Sequence, residues 1–137
     1  MAGIPKVPGL AGLGIDAVDV DRFRSVLNRR PGVADRVFTE AELADAGVGR
    51  LREERLAARF AAKEALMKAL GVGIGGFAFR DVEVRREKTG PHRGAPSLTL
   101  SSRAAELADR NGVTRSHVSL THTSSLAMAV VALEVST

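Results

Sequence analysis

A small α+β domain, with a mostly antiparallel sheet packed against one long central helix, is what this sequence predicts. Three observations carry that expectation. Arg50 to Leu70 is an unbroken run rich in Ala, Leu, Arg, Glu and Lys, all good helix formers, and would span roughly 30 Å as a helix. His117 to Thr121 and Leu126 to Val135 read as strands joined by so short a segment that they form a hairpin. The order of elements is strand, three helices, two strands, helix, two strands, which is not the alternation of a parallel βαβ sheet.

Leu10 to Val18 is apolar and punctuated by glycine, a first strand. Within it, Leu13-Gly14-Ile15-Asp16 reads as a short buried strand ending in a carboxylate. Val20, Phe23, Val26 and Leu27 recur at helical spacing over Val20 to Asn28, with Asp19 as N-cap. Pro31-Gly32 breaks the chain. Thr39-Glu40-Ala41-Glu42 fits a capping box and opens a short helix that ends near Gly47. Along the long helix, Leu56, Phe60, Lys63 and Met67 form one stripe, and Gly71 is the stop after it. Gly71 to Gly76 is a flexible loop. Asp81 to Arg85 and Ser97 to Leu100 alternate polar and apolar residues, as half-buried strands do. Ser101 or Ser102 caps a helix that runs to about Asn111, before Gly112.

A chain of 137 residues is most simply one domain, here residues 10–137 behind a flexible segment over residues 1–9. The core must be built from Ala, Val and Leu, since there are five Phe and no Trp or Tyr. The net charge of +4 suits an acidic protein, a phosphorylated small molecule or nucleic acid. With no cysteine there are no disulfides and no thiolate metal sites, which is compatible with the cytoplasm. Met1 to Gly9 has no apolar core of a secretory signal, and no apolar run approaches the length of a membrane span.

Glu64 and Lys68 stand one i,i+4 step apart, so a helix holds acid and base side by side. If Asp16 meets them, two carboxylates and an ammonium form hardware for a magnesium ion and a phosphate ester. Singly, each has a plainer reading: Asp16 as a turn or capping residue, Glu64 and Lys68 as an exposed helix pair. His122 shares a strand face with Val118 and Leu120, and the plain reading is a hydrogen-bonded core histidine. Arg22, Arg24, Arg29 and Arg30 read first as a solvated basic face. The glycines of residues 71–76 follow a helix, so they do not make a dinucleotide fingerprint.

Taken together, Gly14-Ile15-Asp16, Arg22 and Phe60-Ala61-Ala62-Lys63-Glu64 with Lys68 resemble the 4′-phosphopantetheinyl transferases, and within them the small holo-[acyl-carrier-protein] synthase type. Gly94-Ala95-Pro96-Ser97-Leu98-Thr99-Leu100 and Val118 to Thr123 followed by Leu126 to Val131 are also similar to that family. The resemblance implies an enzyme that moves phosphopantetheine from coenzyme A to a serine of apo acyl carrier protein, releasing adenosine 3′,5′-bisphosphate. It implies Mg2+ on Asp16 and Glu64, with Glu64, Lys68 and His122 as catalytic residues. It places coenzyme A against Arg59, Lys68, Gly71, Gly73, Pro96, His122 and Thr123, and the carrier's acidic helix on Arg22 and Arg24. It further implies a cytoplasmic homotrimer in fatty acid or related carrier-dependent biosynthesis, with active sites at subunit interfaces. Whether Asp16 and Glu64 come from one subunit or two stays open. Thr89 to Arg93 departs from the pattern as a small insertion. The rival reading is a non-enzymatic basic binding module. Against nucleic acid as its partner stand the lack of an aromatic platform for bases and of any nucleic-acid motif.

Overall fold

The computed structural model describes residues 7–137. Strand β1 (Leu10–Asp19) leads into helices α1 (Val20–Arg29), α2 (Gly32–Val37), α3 (Glu40–Ala46) and α4 (Arg52–Ala69). A 3₁₀ turn (Phe79–Asp81) precedes β2 (Val82–Arg86) and β3 (Pro96–Leu100). Helix α5 (Ser102–Arg110) and the strands β4 (Val113–His122) and β5 (Leu126–Val135) complete the chain. All pairing is antiparallel, in two sheets: β1–β5–β4 and β2–β3. The α+β expectation with a long central helix therefore holds. Of the segment expected to be loose, residues 1–6 lie outside the described residues. Val7 accepts from the backbone of Leu10, and Gly9 from that of Val135.

The local signals explain most of the elements. Asp19 caps α1 by accepting from the Arg22 N–H at 2.8 Å. The capping box of α3 is complete: the Glu42 N–H donates to Thr39 Oγ1, and the Thr39 N–H to Glu42 Oε1. Helix α4 ends on Gly71 at φ +72°, with the Val72 N–H reaching the Met67 carbonyl and the Gly71 N–H that of Lys68. Pro31–Gly32 does not simply break the chain. Pro31 is the N-cap of the extra short helix α2, because proline's fixed φ is ready-made for a helix start. Ser101 stands at the N-cap of α5 without capping it; its hydroxyl donates instead to the Asp81 carbonyl.

Two expectations about the core change. Strand β1 runs over Leu10–Asp19, as expected, but the Leu13 to Asp16 stretch is buried on one face only and continues past Asp16. Gly12, Gly14, Asp16 and Val18 face α4, while Leu13 (62%) and Ile15 (57%) are exposed on the other side. Helix α4 is covered nearly all round rather than along one stripe, because β1 and β5 lie behind it and α1, α3 and β2 in front. Its alanines, and the glycines opposite, permit that closeness. A Cβ on Gly14 would sit 1.9 Å from the Ala65 carbonyl oxygen, and one on Gly12 equally close to that of Ala69. Gly14→Ala is therefore expected to push helix from sheet and cost about 1–3 kcal/mol or more, read as a fall in Tm. An unchanged Tm would contradict this packing.

Lys63, grouped by periodicity with the apolar stripe, is an ion-pair partner with no exposed surface. Its Nζ donates to Glu42 Oε1 at 2.6 Å, the Val37 carbonyl at 2.8 Å and the Phe79 carbonyl at 3.0 Å. Glu42 Oε2 accepts from the Val84 N–H at 3.0 Å. One buried cluster thus ties α2, α3, α4 and β2 together.

Candidate active site

The tight β1–α4 contact sets the first constellation. With Gly12 and Gly14 against the helix backbone, Asp16, next on that face of β1, reaches the last turns of α4. There Lys68 Nζ donates to Asp16 Oδ1 at 3.1 Å and to the Ile15 carbonyl at 2.9 Å. Glu64, one turn earlier, has no hydrogen-bond partner among the described residues. Burial first and the Asp16 charge second push its carboxyl above the usual glutamate range, with Lys68 pulling the other way. One chain therefore holds both carboxylates and the ammonium together. No cluster of three or more metal-ligating side chains exists among the described residues. Two carboxylates nonetheless fit magnesium, which usually takes one or two from the protein and the rest from phosphate and water.

The raised Glu64 value has a stability consequence. Protonated Glu64 favours the fold; that contribution is present below the ordinary glutamate range and is lost as pH rises through the raised value. At neutral pH the ionised group is thus a cost. Glu64→Gln is expected to raise the Tm of EDTA-treated protein at pH 7, with the gain vanishing in acid. A lower Tm at pH 7 would show that Glu64 is stabilised by something else.

Beside Glu64 opens a largely apolar cavity of about 490 Å³, lined by Val18, Phe23, Val26, Val33 and Phe60 with Arg22 at its edge. Arg24 is paired with Asp21 at 2.9 Å on the surface.

A second constellation lies elsewhere on α4. Arg55, Arg59, Arg86 and His122 line a cleft of about 270 Å³. Arg59 is 3% exposed, Nη1 donates to the Arg55 carbonyl, and Nε has no partner among the described residues. Burial, and then the charge of Arg86, pull its guanidinium below the usual arginine range. A buried arginine with spare donors, beside two more arginines, suits an anion with several acceptor oxygens. His122 is half-buried, with Nδ1 3.0 Å from Glu54 Oε1.

The two constellations do not meet within one chain. Glu54, the partner of His122, and Glu64 are ten residues apart on α4, roughly 15 Å along the axis. Asp16 and His122 share the helix-facing side of the sheet. They are two strands apart and two residues out of line, roughly 12 Å. The proposed coenzyme A residues divide accordingly. Lys68, Gly71 and Gly73 belong to the carboxylate end, and Arg59 and His122 to the arginine cleft. Pro96 pairs with Arg86 at the start of β3. Thr123 Oγ1 accepts from the Ser125 and Leu126 N–H groups and so closes the β4–β5 turn. The inserted residues 89–93 form the β2–β3 turn, whose Gly94 carbonyl accepts from Arg86.

Arg55, Arg86 and Glu54 escaped the sequence reading. Arg55 lies one i,i+4 step before Arg59, and Arg86 continues the inward face of Val82 and Val84, as His122 continues that of Val118 and Leu120. Those spacings were the available signal.

The chain as a whole is similar to known proteins in sequence and in fold. The sequence profile of the 4′-phosphopantetheinyl transferase superfamily matches residues 12–131. The holo-[acyl-carrier-protein] synthase of Streptomyces avermitilis is 48% identical, covering 91% of this chain and 98% of the relative. The Bacillus anthracis holo-(acyl-carrier-protein) synthase in complex with CoA (3′,5′-ADP) superposes with a TM-score of 0.73 at 33% identity, over 93% of this chain and 99% of that one. The Helicobacter pylori enzyme in complex with coenzyme A gives 0.74 at 29% identity, over 88% and 98%. The chain belongs to the 4′-phosphopantetheinyl transferase superfamily. Within it, the chain is an enzyme of the holo-[acyl-carrier-protein] synthase type.

Proposed function

We propose that this protein transfers 4′-phosphopantetheine from coenzyme A to a serine of apo acyl carrier protein, with Mg2+, and releases adenosine 3′,5′-bisphosphate. The observation that carries this reading is the Asp16–Glu64–Lys68 cluster, with Glu64, unpaired among the described residues, beside a second carboxylate. The serine oxygen forms a bond to the phosphorus that bears pantetheine, and the bridging P–O bond breaks with its electron pair leaving on the bisphosphate. Asp16 and Glu64 would hold Mg2+, which when bound neutralises charge on the pyrophosphate oxygens. Glu64, directly or through a water, takes the serine proton; the environment that disfavours its charge makes it a better acceptor. Lys68, held on Asp16, offers its ammonium to the leaving phosphate. Arg55, Arg59, Arg86 and His122 supply donors for phosphate elsewhere on coenzyme A.

Because one chain separates those donors from Glu64, a complete site takes the two halves from neighbouring copies. We place that contact on the outer face of β1–β5–β4. Exposed Leu13 and Ile15 there lie beside Met128 and Val130, and a homotrimer would cover them. The apolar cavity with Arg22 at its edge suits the amphipathic acidic helix of a carrier protein, and Arg24 adds charge nearby. Such a role belongs to cytoplasmic carrier-dependent synthesis of fatty acids or related chains. No helix among the described residues is long and apolar enough to cross a membrane.

The test is the intact mass of an apo acyl carrier protein incubated with this protein, coenzyme A and Mg2+. A gain of one phosphopantetheine that disappears with EDTA is expected; no gain with any of several carriers would overturn the reading. In the same assay Arg22→Glu is expected to raise the KM for the carrier far more than that for coenzyme A. Equal effects would remove Arg22 from docking.

A further inference from the structure

Glu54 is a carboxylate only 8% exposed, with no role in the reaction as described and one side-chain partner, His122 Nδ1 at 3.0 Å. It stands in the first turn of α4, where the helix N-terminus favours negative charge. A carboxylate there can only accept, so the proton between the two groups must sit on Nδ1 of His122. The imidazole is then turned with its opposite edge available to the cleft, which it lines with Arg55, Arg59 and Arg86. Nε2 has no partner among the described residues. Nothing else among the described residues holds this ring in place by a hydrogen bond; His122 is the last residue of β4, where the strand ends in a turn.

We propose that Glu54 is a positioning residue: it holds His122 with the proton on Nδ1 and Nε2 directed to the anion bound by the arginine cleft. The inference rests on the coenzyme A reading above for the identity of that anion, but its geometry does not. With an anion at Nε2 the ring donates from both nitrogens, Nδ1–H to Glu54 and Nε2–H to the anion, and the Glu54 carboxylate balances the charge of that imidazolium beside the three arginines. The charged groups that face the ring are Glu54, Arg55, Arg59 and Arg86.

Two readouts test this in the full-length protein. Long-range ¹H–¹⁵N spectra of the imidazoles, with His122 assigned from His122→Ala, report which nitrogen carries the proton. The wild type and Glu54→Gln, whose amide oxygen still accepts, should show it on Nδ1, and Glu54→Leu should move it to Nε2. Calorimetric Kd values for coenzyme A should weaken about 10–100-fold in Glu54→Leu, the order for losing one hydrogen bond to a charged group, with most of the affinity kept in Glu54→Gln. Glu54→Leu/His122→Ala should be no weaker than His122→Ala alone. A wild-type ring protonated on Nε2 alone, an Nδ1 proton that survives Glu54→Leu, or additive losses in the double variant would overturn the proposal. Failure of the wild type to bind coenzyme A would instead sink the functional reading, while the spectra would still decide the role of Glu54.

Discussion

Lys63→Met is expected to remove about 3–5 kcal/mol of folding free energy, measured by urea denaturation. Methionine matches the volume and the apolar stem, so the loss does not come from a cavity. It comes from Glu42, whose carboxylate stays fully buried with only the Thr39 and Val84 N–H groups for company. The lysine's three donations, to Glu42, Val37 and Phe79, also disappear; the buried Val37 carbonyl loses the lysine, while that of Phe79 keeps the Val82 N–H. Against a typical total of about 5–15 kcal/mol, that is a large share. Glu42→Gln/Lys63→Met should recover much of the loss, because no uncompensated charge remains. A loss below about 1 kcal/mol in the single variant would show that the pair is not what holds α3 and β2 on α4.

Glu64→Gln is expected to lower transfer by about 10²–10⁴-fold, the range for removing a positioned acid–base group, with the fold intact. The shape is kept and only the charge is lost, so a folded, inactive protein would point to the chemistry of the carboxylate. An Arg86→Ala/His122→Ala chain should be nearly inactive for a different reason, having lost its phosphate donors. Mixed in equal amounts after dissociation and reassociation, the two inactive proteins should regain activity. In a closed ring, about a quarter of the sites would pair an intact carboxylate half with an intact arginine half from the neighbour. No recovery in verified mixed oligomers would mean that one chain supplies both halves, which the separation of Glu64 from His122 argues against. Near-normal turnover by Glu64→Gln alone would end the metal and base assignment.

Local chemistry made much of this legible in advance. The capping box at Thr39, the N-cap at Asp19 and the stop at Gly71 are decided within a few residues, and the structure reproduces each. The extra helix α2 was hidden because Pro31–Gly32 reads equally as a break or as a helix start. The i,i+4 pairing of Glu64 and Lys68 follows from helix geometry alone.

What sequence alone determined is therefore the class of fold, the long helix with its acid and base on one face, and the family. These depend on periodicity, capping and a short motif, all local. Only the tertiary structure decided that Asp16 joins Glu64 in the same chain, because that needs two glycines to let strand and helix backbones touch. Only it showed that Lys63 is an ion rather than part of an apolar stripe, since its partner Glu42 lies 21 residues away. And only it divided the proposed site in two, because the distance from Glu64 to His122 depends on how the sheet is laid across the helix, which no spacing along the chain encodes.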